Sequence, residues 1–421
     1  MKLGCIADDF TGATDLGSML VQGGMRTAQW LGVPKRLPST DDIDAIVISL
    51  KTRSVAPSQA VNESLAALNV LKDVGCEQFF FKYCSTFDST SEGNIGPVAD
   101  ALLKELGSPQ TIFCPAFPEN DRTVVHGHLF VEGKLLNESG MQHHPVNPMH
   151  DANLVRVLDR QSTNQVGLVN FNTVENGVDS IQAELEWLAN SNCKLVIADA
   201  LTDQHLGVWA KAVAGFPLVT GGSAIAKHLA HVLLEQVRRG SDCDSGWAPL
   251  GGSGRAAVLA GSCSQATARQ IDRFKDAFPV MTISPQQLSD DMESAIQNVM
   301  DFAASNLKNG PVLIASTTTP EKTQQARDEL GDQVANLVEA AFSKIAVGLI
   351  ELDVRKLIVA GGETSGAVIQ ALGIQELRIG PEIDPGVPWT TTMLEPKMAL
   401  ALKSGNFGAD DFFIRALGML S

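Results

Sequence analysis

Short β-branched runs alternate with amphipathic segments along most of this chain, and they do so in two tracts. In the first, apolar runs at 2–7, 45–50, 78–81, 111–114, 166–170, 194–198 and 217–220 are interleaved with helical patterns at 11–22, 58–74, 98–106 and 180–189. In the second, the runs are 256–260, 312–316, 357–360 and 398–402, with helical patterns at 264–276 and 333–349. Parallel strands cannot be joined by a tight turn and need a crossover, usually a helix. The alternation therefore predicts an α/β protein in which each tract is a largely parallel sheet flanked by helices.

Between the tracts the texture breaks. "RRGSDCDSGWAPLGGSGR", 238–255, is rich in Gly, Ser and Asp and has no periodicity. It reads as a linker. A chain of 421 residues also exceeds one ordinary core. Two domains are expected, 1–240 and 255–421, joined by 241–254.

Composition narrows the function. There are 32 basic and 48 acidic residues, a net charge of −16. That argues against a nucleic-acid partner, which calls for a basic stripe. A small anionic substrate remains compatible, because a basic pocket can sit in an acidic protein. The seven cysteines contain no C-x-x-C pair, which disfavours a zinc site or a disulfide framework and fits a reducing cytoplasm. The apolar run after Lys2 stops at Asp8, too early for a signal peptide, and no apolar stretch is long enough to span a membrane. No feature fixes the oligomeric state, and a homo-oligomer is left open.

In open α/β sheets ligands bind beyond the carboxyl ends of the strands. In the first tract those positions hold Asp8-Asp9, "KTRS" (51–54), "KYCSTFDST" (82–90) and "PAFPENDR" (115–122). Carboxylates, Arg53, Lys82, Arg122 and many hydroxyls together suit a small polyhydroxylated anion. Arg and Lys hold a carboxylate, and Asp accepts hydrogen bonds from hydroxyls. In the second tract the strand ends are "GSCS" (261–264), "TTT" (317–319), "GGETSG" (361–366) and "KSGNFG" (403–408). Small residues at helix starts let phosphate oxygens approach backbone N–H groups.

Each feature has a plainer alternative. An acid directly before a helix is also what an N-cap looks like, although one cap does not require two adjacent acids. "GGETSG" can simply turn a strand into a helix, and Lys82 can be a solvated strand-end lysine. His143, His144 and His150 sit among prolines, as in a loop, and are not expected to bind metal. Cys84 has no histidine at a recognisable spacing and reads as pocket wall. No G-x-x-x-x-G-K-[ST] occurs and no G-x-G-x-x-G follows the first strand, which disfavours P-loop and standard dinucleotide folds.

Taken together, "IADDFTGATD", "FKYCSTFDSTSEGNIGP", "PAFPENDRTVVHGHLFVEGKLL", "AGSCS", "GGETSG" and "LALKSGNFG" resemble the four-carbon acid sugar kinase family, in the family's order and over nearly the whole chain. "KYCSTFDST" is most similar to the family's 3-oxo-tetronate kinases, whereas threonate and erythronate kinases carry a shorter Lys-x-x-Asp-Ser-Thr form. The resemblance implies a substrate domain at 1–240, a nucleotide domain at 255–421 and an active site in the cleft between them. It implies ATP-dependent phosphorylation of the terminal (4-) hydroxyl of a four-carbon sugar acid, with Mg²⁺ on the nucleotide. ATP contacts are implied at Ser262, Ser264, Gly361, Gly362, Glu363, Thr364 and Gly405. Substrate contacts are implied at Asp9, Arg53, Lys82, Ser85, Asp88 and Ser89, and Arg122 is a further candidate for the carboxylate. Asp8 or Asp9 is the candidate proton acceptor, and no metal ligand is assigned. A threonate or erythronate kinase, a sugar-acid sensor without turnover, and a dehydrogenase with an unusual dinucleotide loop are the competing readings. The phosphate-type loops of the second tract weigh against a sensor.

Overall fold

The computed structural model describes residues 2–35, 40–144, 147–237, 254–262, 264–316, 333–393 and 395–420. Almost all of the expected linker and the "TTT" segment lie outside the described residues. The chain divides into two compact units, Met1–Gly246 and Trp247–Ser421.

In the first unit the strands are β1 (Lys2–Ala7), β2 (Thr27–Leu31), β3 (Ala45–Ser49), β4 (Cys76–Lys82), β5 (Thr111–Cys114), β6 (Arg122–Val125), β7 (His128–Val131), β8 (Lys134–Leu135), β9 (Gln165–Val169), β10 (Cys193–Ala198) and β11 (Leu218–Gly221). The main sheet runs β2-β3-β1-β4-β11-β5-β10-β9 and every pairing in it is parallel. Its central strands are apolar on both faces, as a helix-covered sheet requires, and β3 is buried throughout. β6, β7 and β8 form a separate antiparallel sheet that alternation did not predict. β2 was also missed, because "TAQWL" is too short and mixed to stand out.

In the second unit the strands are β12 (Arg255–Ala260), β13 (Val280–Thr282), β14 (Val312–Ala315), β15 (Val354–Ala360), β16 (Glu376–Asp384), β17 (Val387–Thr392) and β18 (Ala399–Lys403). The order is β13-β14-β12-β15-β18-β17-β16. β12 to β15 and β18 pair in parallel, while β17 is antiparallel to both its neighbours. The sheet is therefore largely parallel with an antiparallel edge.

Both units begin with the same topology. The first strand is internal, the second lies two places away, the third fills the gap, and the fourth crosses to the first strand's other side. The chain reverses direction across the sheet at β1/β4 and again at β12/β15. Such switch points leave a crevice beyond the carboxyl ends, because the flanking loops diverge. In the first unit that crevice receives Asp8, Asp9 and Lys82, and in the second Ser262 and Gly361.

Candidate active site

β1 ends in two acids whose environments differ. Asp8 is buried and its carbonyl accepts from the N–H groups of Thr52 and Arg53, at 2.9 and 3.2 Å, so the turn after β3 is fastened to the end of β1. The Asn94 amide donates to the carbonyls of Thr52 (2.6 Å) and Val55 (3.2 Å), securing that turn from the other side. The turn delivers the Arg53 guanidinium, whose Nε donates to Asp8 Oδ2 at 2.8 Å and whose Nη2 donates to Asp8 Oδ1 at 2.9 Å. Nη2 also lies 2.7 Å from Asp9 Oδ1, and Nη1 lies 3.9 Å from Asp88 Oδ2.

Asp9 is the N-cap of the helix Phe10–Gln22, accepting from Gly12 N at 3.0 Å, and its side chain stays 29% exposed. Cap and ion-pair partner are thus one residue. Burial tends to raise the Asp8 carboxyl, but the charge and hydrogen bonds of Arg53, helped by Lys82, outweigh it and hold Asp8 below the ordinary range. For Asp9 burial prevails over Lys82 and Arg53, the charge of Asp8 adds to it, and the carboxyl is pushed up.

Lys82 ends β4 beside β1. Its side chain is only 5% exposed, and its Nζ lies 3.9 Å from Asp9 Oδ1, beyond hydrogen-bond length. Among the described residues it makes no hydrogen bond, so its three donors remain available. Gly12 leaves room here, because a Cβ at that position would overlap Lys82 Nζ and Asp9 Oδ1 and push both groups aside. One helical turn on, Asp15 takes a short hydrogen bond from Ser223, just past β11. Its own carboxyl is raised by burial, against the pull of Lys82 and the Ser223 bond.

In the loop after β4, Asp88 and Ser89 are buried and Ser85 is half-buried. Asp88 accepts from Thr86 Oγ1 at 2.7 Å, and Ser89 from the Gln161 amide at 2.9 Å. Cys84 lies 2.9 Å from Thr86 Oγ1, and burial followed by the Asp88 charge pushes its thiol up, so it rests protonated and is no nucleophile. Arg122 is not drawn into the cluster. It opens the small antiparallel sheet, and its guanidinium bonds to the Asn120 carbonyl in its own loop.

In the second unit three loops gather at the carboxyl ends of the adjacent strands β12, β15 and β18. The Gly261 and Ser262 N–H groups both donate to Ala360 O, and the Gly361 N–H donates to Lys403 O at 2.9 Å. Gly361 has φ 126°, which a side chain would strain, and it caps the helix Gly362–Ala371. Thr364 is buried against Gly261, while Gly362 and Glu363 are exposed at the helix start, and among the described residues a Cβ on Gly362 would meet nothing within 4 Å beyond its own helix. Ser264 caps the helix Gln265–Lys275 and donates to Gly405 O. Gly405 packs so closely that a Cβ there would overlap Ser262 Oγ. These are cradles that side chains would fill, and they suit phosphate oxygens. Among the described residues no group of three or more His, Cys, Asp or Glu is placed to hold a metal, and His143, His144 and His150 form none.

Sequence reasoning passed over Asn94, Asp15 as a member of the cluster, Ser223, Thr267 and Lys403. Asp15, Asn94 and Lys403 stand inside motifs already singled out, whereas Ser223 and Thr267 carried no signal.

One unit gathers acids and cations at its strand ends and the other small-residue loops, the arrangement of a two-domain protein with one polar and one phosphate-type site. Residues 3–229 match the sugar-binding N-terminal domain and residues 257–413 the nucleotide-binding C-terminal domain of one family, and the chain belongs to that family. It is 51% identical to the 3-oxo-tetronate kinase of Burkholderia multivorans, over 99% of this chain and 97% of that protein. It is also 51% identical to the 3-oxo-tetronate kinase of Pseudomonas fluorescens, over 100% of this chain and 97% of the relative. Among solved structures, a Salmonella typhimurium protein described as a candidate tRNA synthase superposes with a TM-score of 0.93 at 43% identity, covering 100% of both chains. A Haemophilus influenzae protein superposes with 0.88 at 42%, covering 99% of this chain and 100% of that one. No helix among the described residues is long and apolar enough to cross a membrane.

Proposed function

We propose that this protein is an ATP-dependent kinase that converts 3-oxo-tetronate to 3-oxo-tetronate 4-phosphate. The observation that carries this reading is the unequal treatment of the two adjacent acids. Arg53 ties Asp8 up in two hydrogen bonds, while Asp9 is partly open and its carboxyl is raised. Asp9 is then the proton acceptor and Asp8 the group that orients Arg53. Full-length relatives named as 3-oxo-tetronate kinases, at 43–51% identity among the closer ones, support the substrate.

Lys82, with three free donors, binds the substrate carboxylate, while Asp88, Ser89 and Ser85 line the polyol chain. The nucleotide phosphates rest on the helix-start N–H groups of Gly362, Glu363 and Thr364 and on that of Gly405, beside Ser262 and Gly361, whose own N–H groups are held by Ala360 O and Lys403 O. As the terminal hydroxyl oxygen bonds to the γ-phosphorus, Asp9 takes its proton. The bond from the γ-phosphorus to the bridging oxygen breaks, and ADP leaves with the electron pair. Little covalent chemistry is asked of the protein beyond alignment and this proton transfer. Mg²⁺ bound through the phosphates would neutralise their charge. It would arrive on the nucleotide held at the small-residue loops around Gly361 and Gly405, where it needs at most one or two protein ligands.

The test is ADP release from ATP across a panel of tetronates and 3-oxo-tetronates. Release with the 3-oxo acid supports the proposal. No release with any acid of the panel overturns it and leaves a binding protein. The tRNA reading attached to the Salmonella structure draws no support from a net charge of −16.

A further inference from the structure

Lys403, the last residue of β18, is 1% exposed, and no carboxylate pairs with it among the described residues. Buried lysines without a counter-charge are costly, so this one calls for an explanation. Its ammonium donates to Thr267 Oγ1 at 3.0 Å, to Ser404 O at 3.2 Å and to Gly405 O at 3.0 Å. All three donors are used on neutral oxygens. The rings of Phe412 and Phe413 lie 6.0 Å away and close off the other side. The acids of neighbouring segments are engaged elsewhere, Asp384 with Arg415 and Asp410 with Arg269, and Glu363 is exposed. Burial alone lowers the lysine, to about 7, and no nearby negative charge restores it.

The consequence lies in the two peptide planes. A trans peptide points its C=O and the following N–H in opposite directions. Both peptides here are trans. Lys403 draws the carbonyls of Ser404 and Gly405 inward, so the N–H groups of Gly405 and Asn406 are turned away from it. Neither N–H has a partner among the described residues. Ser264 and Thr267 also donate to Gly405 O, which fixes that plane from three directions. Two adjacent unpartnered N–H groups backed by a buried cation have the polarity that suits an anion.

We infer that Lys403 is the positioning residue of the nucleotide site, aiming the Gly405 and Asn406 N–H groups at a nucleotide phosphate and finding its missing counter-charge there. This rests on the nucleotide assignment made above for Gly361 to Thr364. Sequence alone hides it, since a strand-end lysine looks solvated.

The test uses the whole protein, ADP, and adenosine as the phosphate-free probe. In the unaltered protein, ADP should slow amide exchange in both 361–365 and 404–408. In Lys403→Met, protection at 404–408 should be lost while that at 361–365 persists. ADP affinity should fall about tenfold or more, the scale of a hydrogen bond to a charged group, with adenosine within about twofold. Slowing at 361–365 without slowing at 404–408 in the unaltered protein overturns the inference and leaves the nucleotide site standing, even where the variant does not fold. Slowing at neither overturns both. An equal loss for ADP and adenosine assigns the lysine to the fold alone and also overturns it.

Discussion

Arg53 clamps Asp8 through two hydrogen bonds of 2.8 and 2.9 Å, joining two strand ends that lie 45 residues apart in the chain. The clamp makes the neighbours Asp8 and Asp9 chemically different. Both oxygens of Asp8 are spent on the guanidinium, whereas Asp9 meets it through one oxygen and keeps an open edge.

Asp8→Asn keeps the size but loses the charge and one acceptor oxygen. Arg53 is then left half-buried and under-compensated. Stability should fall by about 1.5–3 kcal/mol, the scale of a hydrogen bond to a charged group, because Asp9 still faces the guanidinium. The midpoint of urea unfolding reads this out, and an unchanged midpoint would show that the clamp contributes nothing to folding.

Asp9→Asn should behave in the opposite way. Asparagine caps a helix about as well as aspartate, so the melt should hold. It cannot accept the proton, so kcat should fall by about 10² or more. Near-normal turnover would remove Asp9 from the mechanism, and a melt lowered in step with activity would return it to the fold.

The two acids also separate in pH. Asp9 must be ionised to act, and its raised carboxyl places the acid limb of kcat/KM above the ordinary aspartate value of about 3.9. Asp8 is depressed, so its stabilising contribution is present above about pH 3.9 and is lost only as pH falls through its lower folded value. Asp9, being raised, has the opposite sign, and its contribution to stability diminishes as pH rises from about 3.9 through its folded value. Activity should therefore disappear at a pH where the fold still melts normally. Coincident loss of activity and of the folded state on acidification would contradict the assignment.

Gly362→Val tests the nucleotide loops without disturbing the protein. Among the described residues the new Cβ would meet nothing beyond its own helix, so stability should change little. Affinity for a nonhydrolysable ATP analogue should fall while sugar-acid binding persists. Gly405→Ala offers the contrast, because its Cβ would overlap Ser262 and should impair both fold and binding. An unaltered affinity in Gly362→Val would place the phosphates elsewhere.

Substrate choice follows from hydrogen-bond matching. A 3-oxo acid is planar at the carbon beside the reacting hydroxymethyl, and threonate is tetrahedral there. A site built for the ketone leaves a donor mispaired with the alcohol, at about 1–3 kcal/mol, or about 5- to 150-fold in kcat/KM. Steady-state kinetics with both acids decide it, and equal or faster turnover of threonate would reject the 3-oxo acid as the preferred substrate.

Much of this is legible in the sequence. The alternation of runs marks the parallel sheets, because period and length are local properties. The strand ends carrying Asp8-Asp9, Lys82, "GSCS", "GGETSG" and "KSGNFG" could be read for the same reason, since a parallel sheet puts all of its carboxyl ends on one edge. Residues such as β2, the small sheet opened by Arg122, and the antiparallel β16 and β17 carry no such periodic signal. Their place is set by partners far away in the chain.

What the sequence determined by itself was therefore which residue types stand at which strand ends, and so the chemistry of the two loop sets. It could not rank Asp8 against Asp9, pair Asp15 with Ser223 across 208 residues, hold Arg122 to its own loop, or bury Lys403 without a counter-charge. Charge state and hydrogen-bond direction depend on burial and on neighbours a few ångströms away. Strand crossovers bring those neighbours together from distant parts of the chain, so only the tertiary structure decides which acid is locked, which is open, and which way the phosphate-loop amides face.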